Sequence, residues 1–124
     1  MKVIIAGSRD IPEKLSEELV DTILTNLFKD LNIKVTEVVS GTARGGDKIG
    51  EAWAYFNAIP VKKFPANWDK YGKRAGYLRN SEMAEYGEML VAIWDAASKG
   101  TKHMIDLANK KGLKVAIIMF NPEE

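Results

Sequence analysis

The chain has no cysteine and a single histidine, His103. Disulfides, thiolate catalysis and iron–sulfur clusters are therefore excluded, and so is a histidine-rich metal site. An excess of one charge is also missing. The formal net charge is +1 over 124 residues, so no global basic field argues for nucleic acid, and such a role needs a local patch. There is no internal repeat, no low-complexity tract and no apolar run of membrane-spanning length. The N-terminus leads into a strand without a signal peptide, which sets a cytoplasmic location as the expectation. No cofactor and no metal are expected.

What remains is an ordinary globular composition, 46% apolar and 28% charged, long enough for one domain over residues 1–124 with a sizeable core. Residues 2–6 read as a buried strand ended by Gly7. Asp10 is the expected N-cap of a helix with Pro12 in its first turn, and apolar residues from Leu15 to Phe28 recur at helical spacing to about residue 30. Residues 35–39 predict a second strand. Gly45 and Gly46 open a helix expected to turn Ile49, Ala52, Trp53 and Phe56 inward. A third strand is predicted near Ile59–Phe64. Residues 65–78 show neither period, which marks a functional or disordered connection. A helix over Arg79–Tyr86 follows, then a strand at 89–94. Next comes a helix capped by Ser98 and ended by Gly112, with Met104, Ile105 and Ala108 inward. The strand Lys114–Phe120 is last, and Asn121–Glu124 read as a loose tail. Alternating strands and helices predict the α/β class, a parallel five-stranded sheet with helices on both faces.

Three of these strands run straight into small-residue loops: Gly7-Ser8-Arg9, Ser40–Asp47 and Asp95–Thr101. Parallel strands place all three loops at one sheet edge, where open α/β sheets bind ligands. Glycine lets backbone approach a ligand, and helix N-termini favour anions. The expectation is a pocket for a phosphate-bearing small molecule. Arg9 suits bidentate phosphate contact, or is a solvated turn residue. Gly41, Gly45 and Gly46 allow close approach by the ligand, with Ser40, Ala43 and Arg44 between them. Asp47 and Glu51 share one helix face and are placed to bind ribose hydroxyls or serve as general acid and base. Their plainer roles are helix-dipole complement and surface charge. Lys73, Arg74 and Arg79, with Trp68, Tyr71 and Asn80, form a local basic and aromatic patch suited to a base and phosphates. Ser98, Gly100 and Thr101 form a second anion site beside Asp95, although Ser98 also fits a plain cap and Asp95 a plain loop brace. Trp53, Trp94 and the methionines are read as core. His103 is expected to be exposed, without a partner and without a role.

The runs at Gly7–Arg9, Ser40–Asp47, Tyr71–Gly76, Arg79–Met83 and Trp94–Thr101 together resemble the SLOG superfamily. That group joins the Smf/DprA DNA-processing proteins, the lonely-guy phosphoribohydrolases (often misannotated as lysine decarboxylases) and the YpsA-like proteins. The order and spacing of the five runs are most similar to the YspA-like, YpsA-related branch. The resemblance implies a Rossmann-like fold and a nucleotide or nucleotide-derived ligand. It also permits a homodimer, since relatives often dimerise through helices. One departure stands out. The phosphoribohydrolases carry Pro-Gly-Gly-x-Gly-Thr-x-x-Glu, and the position of the catalytic glutamate is Met104 here, with Ala97-Ser98-Lys99 replacing the lead-in. Methionine moves no proton.

Three functions follow as expectations. The first is binding of a nucleotide or nucleotide-derived molecule. The second is cleavage of an N-glycosidic bond, with Asp47 or Glu51 standing in for the absent glutamate. The third is single-stranded DNA binding, against which the near-neutral charge argues. No membrane partner is expected.

Overall fold

A computed structural model describes residues 1–122; Glu123 and Glu124 of the expected tail lie outside the described residues. Five parallel strands form one sheet in the order β3-β2-β1-β4-β5. They are β1 (Lys2–Gly7), β2 (Glu37–Ser40), β3 (Val61–Lys63), β4 (Met89–Trp94) and β5 (Lys114–Met119). Successive side chains of β1 point to opposite faces, so Val3 and Ile5 enter one core and Ile4 and Ala6 the other. Both faces of the central strands are covered, which is why β1 and β4 read as unbroken apolar runs.

On one face lie α1 (Glu13–Glu18), a wider π turn (Leu19–Ile23), α2 (Leu24–Asp30) and α3 (Gly46–Phe56). The wide turn leaves both Leu19 and Leu24 fully buried against the sheet. Each such side chain contributes roughly 1.5–3 kcal/mol. On the other face lie α5 (Ala75–Tyr86) and α6 (Lys99–Lys111), which bury Met83, Met104, Ile105 and Ala108. The short α4 (Trp68–Tyr71) and a 3-10 turn (Gly72–Arg74) precede α5. No described helix is long and apolar enough to cross a membrane.

Several expectations change. Asp10 does not cap α1. The cap position is Pro12, with φ −53° and ψ 139° and no side-chain hydrogen bond, and Asp10 instead accepts from Arg44 Nη2 at 3.3 Å. The chain stays non-helical from Ser8 to Pro12, which puts Asp10 too early to reach the first free N–H groups of the helix. Phe56 is exposed rather than inward. The buried residues of α3 are Gly46, Asp47, Ile49, Gly50, Trp53 and Ala54, and Phe56 is the last residue of the helix, where its ring meets the exposed Tyr55 instead of the sheet. The aperiodic stretch 65–78 is largely helical, and α5 begins four residues before Arg79.

Candidate ligand-binding site

From β1 the chain moves outward to β2 and β3. From β4 it moves the opposite way to β5. The carboxyl ends of the neighbouring strands β1 and β4 therefore flank a topological switch point, where the two loops part and leave a crevice. A cavity of about 380 Å³ opens there, and a second, of about 500 Å³, adjoins it beneath α4 and the first turn of α5.

Several motif residues build this edge instead of facing the cavities. A Cβ on Gly45 would stand 2.1 Å from the carbonyl oxygen of Ser8, and Gly45 also holds φ +83°. A Cβ on Gly46 would stand 2.3 Å from the nitrogen of Gly7. These glycines let the start of α3 pack on the end of β1, so the close approach is to protein. Gly46 N donates to Ser8 O at 3.2 Å. The buried Ser8 hydroxyl accepts from Asp95 N at 3.1 Å, tying the β1 loop to the β4 loop. Ser40 is fully buried; its hydroxyl donates to Glu51 Oε2 at 2.6 Å and accepts from Thr42 N. Glu51 also pairs with Lys48 at 3.4 Å, and Arg44 turns outward to Asp10. Ser8, Ser40, Arg44, Gly45, Gly46 and Glu51 thus line neither cavity.

The first cavity has an apolar floor of Ala6, Met83 and Met104. Asp47 projects into it from the first turn of α3. Its Oδ2 accepts from Ala43 N at 3.0 Å. Burial pushes the carboxyl up to about 6, against the Ala43 hydrogen bond and the Arg79 charge, which lower it. Asp95 sits opposite and accepts from Ser98 N and Ala97 N, both at 2.8 Å. Those two N–H groups hold its carboxyl below the usual range. Ser98 caps α6 through Thr101 N at 3.5 Å, and the two hydroxyls lie 3.1 Å apart. Gly7, Arg9 and Asp10 complete the β1 side.

Arg9, Ala43, Arg79, Asn80 and Gly100 line both cavities and so form their border. Arg79 reaches back from α5 and donates from Nη1 to Gly41 O and from Nε to Asn80 Oδ1, the latter at 3.0 Å. Burial lowers the Arg79 pKa, the Asp47 carboxylate raises it, and the Arg9 charge lowers it again. Asn80, itself buried, donates from Nδ2 to Gly100 O at 3.4 Å and faces Nδ1 of His103 at 3.2 Å. A Cβ on Gly100 would meet no protein atom within 4 Å. Beyond the border, the second cavity is walled by Gly41, Pro65, Trp68, Lys73 and Tyr77.

Sequence reasoning missed three features. Asp10 is a rim residue. His103 is half-buried, partnered by Asn80, and its ring stands edge-on to Tyr77 at 4.5 Å between centroids. Tyr77 itself carries no motif signal that sets it apart. Among the described residues, no group of three or more His, Asp or Glu side chains is placed to hold a metal ion.

Residues 1–71 match a family model described as the YspA, cpYpsA-related SLOG family. The Gene 61 protein of Mycobacterium phage D29 is 40% identical over 121 residues, covering 92% of this chain and 93% of that one. The chain belongs to the YspA, cpYpsA-related SLOG family. Among solved structures, DNA processing protein A (DprA) from Streptococcus pneumoniae superposes with a TM-score of 0.73 at 17% identity, over 94% of this chain. This SLOG domain spans about half (49%) of the DprA chain. The Rossmann-like fold implied by the motifs is thereby shown.

In this SLOG protein the position expected for a catalytic glutamate is closed. Met104 is 1% exposed and forms part of the cavity floor. The carboxyl of the cavity whose pKa burial raises is Asp47, which enters from the first turn of α3.

Proposed function

We propose that this protein binds a nucleotide or nucleotide-derived small molecule in the crevice at the carboxyl edge of the sheet. The observation that carries this reading is the border between the cavities, where Arg9 and Arg79 stand beside the first turn of α6. Two guanidinium forks and the positive end of a 13-residue helix favour a phosphate. Gly100 leaves its backbone open to the ligand, and Trp68 and Tyr77 offer faces for a base. Titration calorimetry with a panel of nucleoside mono-, di- and triphosphates tests it. At least one is expected to bind, and Arg79→Ala to weaken that binding at least about tenfold, the scale of one charge-assisted contact. A flat response across the panel, from protein that melts cooperatively, overturns the reading.

A second reading rests on Asp47. A buried carboxyl raised to about 6 is poised to give or take a proton near neutral pH. It suits hydrolysis of an N-glycosidic bond, in which water adds its hydroxyl to the sugar carbon and the base leaves with a proton. Release of free base from nucleotides, abolished by Asp47→Asn, supports this. No release at high protein concentration removes it. The likeness to DprA shows a fold and brings no DNA activity with it.

A further inference from the structure

We infer that β5 is an interaction edge for a second copy of this chain, and that two copies pair antiparallel about Ile117 to join their sheets into one. The inference stands apart from the nucleotide reading, because β5 lines neither cavity.

The two edges of the sheet are β3 and β5. A free edge is a row of unpaired N–H and C=O groups, and a monomer blunts it by keeping it short or charged. Strand β3 has both devices: it is three residues long, and two of them are Lys62 and Lys63. Strand β5 has neither along its length. It runs six residues with its one charge, Lys114, at the start.

Alternate residues of an edge strand turn their backbone groups outward. Phe120 N donates to Trp94 O at 3.1 Å, so Phe120 faces β4, and by alternation Ile118 and Ala116 do as well. Val115, Ile117 and Met119 then present N–H and C=O to the open side. Ala116, Ile118 and Phe120 pack into the core beneath α3, while Val115 packs on the α6 side. Ile117 and Met119 follow Val115 on that side, where they are 43% and 57% exposed.

This edge is complementary to itself. In an antiparallel pair the hydrogen-bonded positions recur at every second residue. Setting Ile117 opposite Ile117 puts Val115 opposite Met119 on either side, and each of these pairs exchanges both N–H···O bonds. The same register gathers Val115, Ile117 and Met119 of both copies on one face as apolar cross-strand neighbours. A shift by one residue sets outward groups against inward ones and loses the bonds.

Charge selects the same orientation. Lys110 and Lys114 flank the start of the strand, and Glu123 and Glu124 follow its end in the sequence. Antiparallel pairing brings the basic end of each copy to the acidic end of the other, whereas a parallel partner sets like charges side by side. Lys111 is already engaged by Glu85, but among the described residues neither Lys110 nor Lys114 is in a salt bridge.

The test is sedimentation velocity of the full chain from about 1 µM to about 1 mM, the range suited to a small interface. Amide hydrogen exchange by NMR at the upper concentration reads single residues. A reversible dimer is expected, with the amides of Val115, Ile117 and Met119 protected alongside those of Ala116 and Ile118. Ile117→Lys sets like charges face to face at the axis. It is expected to weaken the dimer at least about tenfold and to free the three outward amides while Ala116 and Ile118 stay protected. Tyr55→Ser, which removes an exposed ring on α3, should leave the dimer unchanged. A chain that stays monomeric across the range overturns the inference. So does a dimer whose outward amides exchange freely, or one that persists undiminished in folded Ile117→Lys. The exchange pattern of the unaltered chain decides the matter even if that variant fails to fold.

Discussion

The side-chain nitrogen of Asn80 lies 3.2 Å from Nδ1 of His103, and this contact decides where the imidazole proton sits. Arg79 Nε is a donor only, and it is held by Asn80 Oδ1 at 3.0 Å. The amide of Asn80 is therefore oriented with Nδ2 toward the ring. An amide NH₂ donates, so His103 Nδ1 accepts and the proton belongs on Nε2. Through this chain the sole histidine reports on the arginine at the cavity border.

The tautomer is the first prediction. Nitrogen-15 NMR of the imidazole needs no assignment, because the protein has one histidine. The expected spectrum at pH 7.5 is a neutral ring with bare Nδ1 and protonated Nε2. Burial lowers the His103 pKa, with Asp106 pulling the other way, so the midpoint should fall below the ordinary 6.5. The sign for stability follows. A depressed folded-state pKa contributes stability that is present above pH 6.5 and lost as pH falls through the folded value. An Nδ1-protonated neutral ring would contradict the Arg79–Asn80–His103 arrangement.

Glycines of the same motifs should behave in opposite ways. Gly46→Ala places a methyl 2.3 Å from Gly7 N, and Gly45→Ala adds a forbidden φ to a 2.1 Å clash with Ser8 O. Each is expected to cost roughly 3 kcal/mol or more, from overpacking and backbone strain. Gly100→Ala meets open space inside a helix and should be neutral or stabilise by up to about 1 kcal/mol. Gly100→Val should fold and yet lose nucleotide affinity, because its side chain takes up space in both cavities. Melting curves and calorimetry on the four variants separate the classes. Full affinity in Gly100→Val would place the ligand elsewhere.

These contrasts also mark what is legible in the sequence. Strand β4 and helix α6 can be read at their observed limits because local signals are strong there. Ser98 caps through Thr101 N, and Gly112 ends the helix at φ +77°. The glycines at strand ends locate the crevice. Whether a glycine faces a ligand or another strand is set by contacts far along the chain, which local pattern does not encode. The Ser8–Asp95 hydrogen bond spans 87 positions and the Asn80–His103 contact 23. Helix α5 reads too short from sequence because its missed first turn, residues 75–78, buries only Ala75, holds a glycine at 76 and exposes Tyr77 and Leu78, so no apolar period marks it. Family resemblance supplies the Rossmann-like fold that these signals only outline.

Glu51 offers a sharper distinction from Asp47 than their shared helix face suggests. Its carboxylate is engaged by Ser40 and Lys48 and lines neither cavity. Ser40→Ala removes a buried hydrogen bond to a charged group and should cost about 1.5–3 kcal/mol. Glu51→Gln keeps an acceptor for Ser40, so it should lower the melting temperature less. Neither change should alter nucleotide affinity in protein that is fully folded. If Glu51→Gln abolishes binding or base release in protein that melts normally, Glu51 acts on the ligand directly.

Asp47 should trade stability for its place in the cavity. Its carboxyl is 3.8 in the unfolded chain and about 6 in the folded protein, chiefly through burial. The folded state thus holds this proton more tightly. The stabilising contribution is fully present below pH 3.8 and is lost as pH rises through about 6. At pH 7.5 the ionised group therefore burdens the fold by at most about 3 kcal/mol, the free energy that separates those two proton affinities. Asp47→Asn keeps the shape and an oxygen for Ala43 N without the charge. The variant is expected to melt higher than the parent at pH 7.5, with the gap closing as pH is lowered toward 4. Guanidinium melts at several pH values read this directly. A variant that is less stable at pH 7.5 would show that the attraction between Asp47 and Arg79 outweighs the cost of burying the carboxylate. The group would then be a structural ion-pair partner, and its case as the proton carrier of the cavity would fail.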